Sequence, residues 1–221
     1  MKAVIFDLDG TLLNTLEDVA SAINYARKAY DGEIVSLQDT RRYIGNGLFK
    51  ALMRSFEEHG PEIDPEEAPI IFQLMMGYYR NHPADYAYPY DGIMELLWTL
   101  KEKGIKCAIL SNKADDILQD MMDKSFGSFE FDYVIGHRKD FALKPDPRSL
   151  YHVLEELGVD KEDVLYVGDS EVDYKTATNA GVKHLIVTYG FRDREILEKL
   201  DGVRLVDHVP SFEELIDGYC A

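Results

Sequence analysis

The chain has little cysteine: Cys107 and Cys220 are its only two, and their spacing fits neither a metal-binding nor a redox motif. Cys107 sits in an apolar run and reads as a core residue. Positive charge is also scarce. With 24 lysines and arginines against 41 acids, the formal net charge is −17. That balance argues against nucleic acid or an anionic membrane as a partner. An anionic substrate would need locally concentrated positive charge, from a metal or from a few Lys and Arg. No uninterrupted apolar stretch approaches the roughly 20 residues of a membrane span. The N-terminus runs straight into an apolar strand and leaves no room for a signal peptide, so a cytoplasmic protein is expected. Internal repeats and low-complexity segments are absent. The 46% hydrophobic content suffices for a real core and argues against disorder. The 221 residues suit one large domain, or a domain with a sizeable insertion.

What the chain does have begins at its first strand, Val4-Ile5-Phe6-Asp7-Leu8-Asp9-Gly10-Thr11-Leu12. A short run rich in β-branched and aromatic residues has the character of a buried strand. It ends in two carboxylates at i and i+2, which repel unless a cation, a proton or a donor compensates. An acidic turn capping a helix would account for Asp-Gly-Thr alone, but not for the apolar strand leading into paired acids.

Helix-like patterns fill residues 16–30, 38–59 and 65–80, broken by Gly45-Asn46-Gly47 and Gly60-Pro61, with no strand pattern between them. Composition shifts to Pro, Tyr, Asp and Gly around residues 83–92, as a linker would. From there helices (93–103, 114–122, 147–157, 172–180) alternate with strands (106–110, 133–136, 164–167, 184–187). A weaker strand and a terminal helix over 212–216 close the chain. The alternation predicts an α/β fold, a Rossmann-like parallel sheet with helices on both faces. The right-handed crossover rule places every strand's C-terminal end on one edge. Residues 1–14 and 83–221 are expected to form this core, and residues 15–82 a small all-helical insertion after the first strand.

Three further strand ends carry polar residues. Leu110-Ser111-Asn112-Lys113 offers a hydroxyl and backbone N–H groups for phosphate oxygens, and Ser111 would serve equally as a helix N-cap. In Lys144-Pro145-Asp146-Pro147 two prolines stiffen the loop and aim the lysine. Gly168-Asp169-Ser170-Glu171-Val172-Asp173 gathers acids again, although acids at i and i+4 of a helix start are often dipole partners only. Asp7, Asp9 and Asp169 together provide hard oxygen ligands with no sulfur or histidine, which favours Mg2+ over Zn2+. A calcium-binding EF-hand loop is excluded, because Gly10 falls too early after Asp7.

These four stretches, in this order, resemble the four motifs of the haloacid dehalogenase-like superfamily. The resemblance covers nearly the whole chain, with the helical insertion matched more loosely and corresponding to the small helical cap of such phosphatases. It implies Asp7 as nucleophile, Asp9 as general acid/base and Lys144 as the cation that stabilises the nucleophile and the transferring phosphoryl group. Asp7, Asp9 and Asp169 would hold Mg2+, with Asp173 supporting, and Ser111 and Asn112 would hold phosphate. Hydrolysis of a phosphomonoester through an aspartyl phosphate follows. The dehalogenases lack the second aspartate and the ATP-driven pumps carry Thr there, so Asp9 points to phosphatases or phosphomutases. A phospho-accepting module without catalysis has no use for an acid at i+2.

Arg41-Arg42-Tyr43-Ile44-Gly45-Asn46-Gly47-Leu48 resembles the cap segment of phosphoglycolate phosphatases. Pro89-Tyr90-Asp91-Gly92-Ile93 resembles their hinge segment, with Asp91 where Pro is usual. On this resemblance Gly45, Asn46 and Gly47 approach a small anionic substrate, and Arg41 or Arg42 meets its carboxylate. Asn-Gly is also a common turn, and paired arginines are usually a solvated helix face. The expected substrate is 2-phosphoglycolate. Pyrophosphate, a sugar phosphate or a β-phosphoglucomutase-like isomerisation are the alternatives. The expected partner is a small phosphorylated metabolite, and the protein is expected as a monomer or weak homodimer.

Overall fold

A computed structural model describes residues 1–44, 47–139 and 141–220. Tertiary contacts divide the chain into two compact units, Met1–Asn14 with Pro89–Ala221, and Thr15–Tyr88.

The larger unit is built on a six-stranded sheet. Its strands are β1 (Ala3–Phe6), β4 (Lys106–Ala114), β5 (Tyr133–His137), β6 (Val164–Gly168), β7 (Lys183–Val187) and β8 (Leu205–Val206), while β2 (Leu13–Asn14) and β3 (Tyr88–Pro89) are short segments where the chain leaves the core and returns. The spatial order is β5-β4-β1-β6-β7-β8 and every pairing is parallel. Strands buried on both faces read as continuous apolar runs, and the four residues of β1 and five of β6 are all buried. One continuous cluster, including Ile5, Leu110, Leu150, Val153, Leu154, Tyr166 and Ala177, packs helices onto the sheet.

The strand order reverses direction at β1, which lies between β4 and β6. Ligands of open α/β sheets bind beyond the carboxyl ends of the strands at such a switch point. Asp7 and Asp169 directly follow β1 and β6, and Ser111 lies in the C-terminal half of β4.

Local sequence explains the helices that matter here. Helix Pro147–Leu157 starts with Asp146 capping the Arg148 amide and Pro at its first turn, and stops at Gly158 in the left-handed conformation. Its buried positions, Leu150, Val153, Leu154 and Leu157, recur at helical spacing. Helix Glu171–Ala180 opens with a capping box, in which Ser170 and Asp173 satisfy each other's backbone N–H groups.

Several expected boundaries move. β4 runs on past Leu110 to Ala114, with a break in register between those two residues. The segment read over 38–59 with a break at 45–47 forms two helices on either side of that break, Leu37–Tyr43 and Leu48–His59. The terminal helix extends to Cys220, and a short helix, Arg194–Leu197, lies where none was expected. The latter is one turn long, too short for hydrophobic periodicity to register.

Among the described residues, the smaller unit contains four helices, Leu16–Lys28, Leu37–Tyr43, Leu48–His59 and Ala68–Asn81. Arg27 is fully buried inside it. Its guanidinium donates to the backbone carbonyls of Glu33, Ser55, His59 and Gly60, and to the Ser55 hydroxyl, and stacks over Phe56. Five acceptors and a ring satisfy a charge that would otherwise be costly to bury.

Candidate active site

Asp7 is the first residue past β1, and its amide donates to the Val167 carbonyl of β6, which fixes the strand's exit (2.8 Å). Its carboxylate lies 2.8 Å from the Lys144 ammonium. Lys144 also reaches Asp173 Oδ1 at 2.7 Å and the Tyr166 hydroxyl at 3.2 Å. Tyr166 in turn donates to Asp173 Oδ1. All four side chains are buried.

Asp173 therefore does two jobs. One oxygen completes the capping box with Ser170, at 2.5 Å from its hydroxyl, while the other holds Lys144 and Tyr166. The helix start and the lysine are thus tied to one carboxylate. Gly168 makes the fit possible: a Cβ there would come within 2.3 Å of the Asp173 side chain. Gly10, at φ +85°, does the same for Asp169, whose carboxylate a Cβ would meet at 2.2 Å.

Asp7, Asp169 and Asp173 can each offer an oxygen within 4.8 Å of the others. Burial, and after it the Asp173 charge, push the Asp7 carboxyl up to about 7, against the pull of Lys144. Burial together with Asp173 and Asp7 raises Asp169 well above the usual carboxylate range, though the Phe191 amide donates to it at 2.7 Å. Burial works against the Lys144 ammonium, but Asp173 and Asp7 outweigh it and hold its pKa well above the ordinary lysine value. Acids pushed upward around one committed lysine mark a site short of positive charge. The donor set is all oxygen, which fits a hard divalent cation.

Asp9 departs from the expected ligand set. Its carboxylate lies outside this cluster and meets the buried Lys113 ammonium at 2.8 Å. β1 ends at Phe6, and Gly10 turns the chain at positive φ, so Asp7 and Asp9 do not share a strand's face. Lys113 was not expected in the site at all. It enters because β4 continues past Leu110, leaving Ser111 and Lys113 buried two residues apart with Asn112 exposed between them.

Ser111 accepts a hydrogen bond from the Lys113 amide at 3.2 Å. The Asn112 side chain is taken up by the Lys144 backbone, which leaves the phosphate contact expected of the Asn112 backbone untouched. Its amide donates to the Lys144 carbonyl (3.0 Å) and accepts from the Lys144 N–H (2.8 Å). This reciprocal pair fastens the lysine's loop to the end of β4. Asn112→Ala is therefore expected to lower turnover about 10- to 100-fold, the usual cost of losing a group that orients an active one. Steady-state kinetics beside an unchanged circular dichroism spectrum would check this. An Asn112→Ala enzyme with unaltered turnover would show that the prolines alone hold the loop.

Of the other expected residues, Gly45 and Asn46 lie outside the described residues. Gly47 precedes helix Leu48–His59 at φ +88° with open space around it. Arg42 is paired within the smaller unit, to Asp39 at 2.6 Å and Glu58 at 3.1 Å, which fits the solvated helix face. Arg41, on the same helix, is half-buried.

A family model for haloacid dehalogenase-like hydrolases matches residues 4–187. The chain belongs to this family. A phosphoglycolate phosphatase of Thiobacillus denitrificans is 34% identical over 221 residues, covering 97% of this chain and 93% of its own. Another phosphoglycolate phosphatase, from Caulobacter vibrioides, is 33% identical over 205 residues, 93% of this chain and 86% of that one. A crystal structure from Lactobacillus delbrueckii subsp. bulgaricus matches with a TM-score of 0.86 at 30% identity, over 94% of this chain and 95% of the other. The haloacid dehalogenase-like core accounts for the strand order and for the meeting of Asp7, Lys144 and Asp173 from separate segments of the chain.

Proposed function

We propose that this chain is a Mg2+-dependent phosphatase that hydrolyses 2-phosphoglycolate through an aspartyl phosphate on Asp7. The observation that carries the reading is the buried Asp7 carboxylate, held 2.8 Å from Lys144 within a group of acids. The names of its relatives support the substrate, and membership of a hydrolase family supports the phosphatase.

In this mechanism Asp7 attacks phosphorus in line while Lys144 offsets the charge gathering on the phosphoryl oxygens. Asp9 gives a proton to the departing alkoxide, then takes one from the water that hydrolyses the intermediate. Asp7 and Asp169 would hold Mg2+, which when bound offsets charge on the same phosphoryl oxygens. Asp173 would brace Lys144 and the metal-binding acids through its hydrogen bonds. Residues 15–82, read as a helical cap, would carry the choice among substrates. No helix among the described residues is long and apolar enough to cross a membrane. A cytoplasmic enzyme acting on a small metabolite is consistent with that and with the acidic composition.

The test is phosphate release from 2-phosphoglycolate, pyrophosphate, sugar phosphates and nucleotides, with Mg2+ and with excess EDTA. A preference for phosphoglycolate that EDTA abolishes is expected. Preference for pyrophosphate, or isomerisation of a sugar phosphate, would overturn the substrate. Full activity in EDTA would overturn the metal.

The acids also give Mg2+ binding a direction with pH. An Asp7 carboxyl raised from 3.8 to about 7 contributes stability that is complete below 3.8 and lost as pH rises through about 7. At pH 6 a cation must displace the proton on Asp7, whereas at pH 8 that proton has gone. Mg2+ is therefore expected to raise Tm more at pH 8 than at pH 6, measured by thermal melts at equal ionic strength. An equal or reversed shift would remove Asp7 from the binding set.

A further inference from the structure

Lys113 is the second buried ammonium of the core's site, and the mechanism above leaves it without a task. Its side chain is 2% exposed, and its Nζ lies 2.8 Å from Asp9 Oδ1. We propose that Lys113 binds the carboxylate of the substrate, so that the site selects phosphate esters of 2-hydroxy acids. This deepens the phosphoglycolate reading and rests on Asp9 being the acid that protonates the leaving oxygen.

The argument is one of reach. An acid that protonates the ester oxygen must sit within about 3 Å of it. The ester oxygen then lies within about 6 Å of the Lys113 Nζ, because Asp9 bridges the two. In an ester of a 2-hydroxy acid, one carbon separates the ester oxygen from the carboxyl carbon. Its carboxylate oxygens lie roughly 3 Å from the ester oxygen by ordinary bond lengths. The carboxylate of bound phosphoglycolate thus falls within the span between Asp9 and Lys113.

Charge points the same way. Phosphoglycolate brings a phosphate and a carboxylate into a site that already holds Asp7, Asp9, Asp169 and Asp173. Lys144 is engaged with Asp7 and Asp173, and its task is at the phosphoryl group. Arg42 is engaged with Asp39 and Glu58. An ammonium carries three rotatable donors on a point charge, so one lysine can serve more than one acceptor. Placement on the extended end of β4, beside Ser111, gives Lys113 a rigid backbone to act from.

The deciding measurement is the ratio of kcat/KM for phosphoglycolate to that for ethyl phosphate, which has the same two-carbon tail without the carboxylate. Both esters need Asp9, so damage to Asp9 or to metal binding cancels in the ratio. The wild-type enzyme is expected to favour phosphoglycolate strongly. K113M is expected to lower the ratio at least about 100-fold, since a site built to bond a polar group loses that much discrimination with its partner. K113R, which keeps the charge, should recover part of it. K113Q, which retains a hydrogen-bond donor for Asp9, serves the same comparison should K113M fail to fold. If the variants lose activity equally on both esters, Lys113 only positions Asp9 and the proposal is overturned. If the wild-type enzyme itself shows no preference, the phosphoglycolate reading fails and the carboxylate subsite falls with it.

Discussion

Asp7→Asn is expected to leave a folded protein with almost no turnover. The substitution keeps the shape of the side chain and a carbonyl oxygen to accept from Lys144, so the buried arrangement around Lys144 survives. What goes is the charged oxygen that attacks phosphorus. Losing a nucleophile on which every later step depends costs on the order of 10^5-fold or more. The neighbouring acids cannot take over, because Asp169 is engaged by the Phe191 amide and Asp173 by Lys144, Tyr166 and Ser170. Rapid-quench phosphate release at saturating phosphoglycolate, with circular dichroism to confirm the fold, would check it. Turnover within tenfold of wild type would sink the assignment of Asp7.

Lys144→Met is expected to damage both chemistry and stability. Removing a preorganised cation from the reacting phosphoryl group costs about 100- to 1,000-fold in turnover. The same change strands two buried carboxylates, Asp7 and Asp173, which lie 2.8 and 2.7 Å from the ammonium. Breaking one side of a buried pair typically costs about 3–5 kcal/mol. The variant should therefore melt at a lower temperature, and assays belong well below that point. Near-normal turnover would reduce Lys144 to a structural charge, and an unchanged melting temperature would remove that role as well.

The sheet was legible because its strands are apolar on both faces and end in sharp changes of composition. Val4-Ile5-Phe6 before Asp7, and Val164 to Val167 before Asp169, announce both a buried strand and the edge where it stops. Lys144 was legible for a different reason: the two prolines that follow it mark an unusual loop. Residues whose role depends on where a strand ends were harder to read. Asp9 looked like a ligand beside Asp7, yet Gly10 turns the chain and the carboxylate meets Lys113 instead. Lys113 was hidden because the apolar run closes at Leu110 while the strand does not. Tyr166 was hidden by its own apolar surroundings, since one hydroxyl in a run of Val and Leu leaves no mark on hydropathy. The Asn112 side chain pairs with the Lys144 backbone, a contact between segments 32 residues apart that no local pattern encodes.

Arg27 has a consequence for how such a protein can change. The partners that satisfy its charge all belong to the helical insertion, and they are main-chain carbonyls, one hydroxyl and one ring. Carbonyls persist through almost any substitution, so the sequence around this arginine can drift without stranding it. The fastening travels with the insertion, which makes residues 15–88 a natural unit of exchange: grafted between the two segments of another core, they would carry their own internal anchor with them.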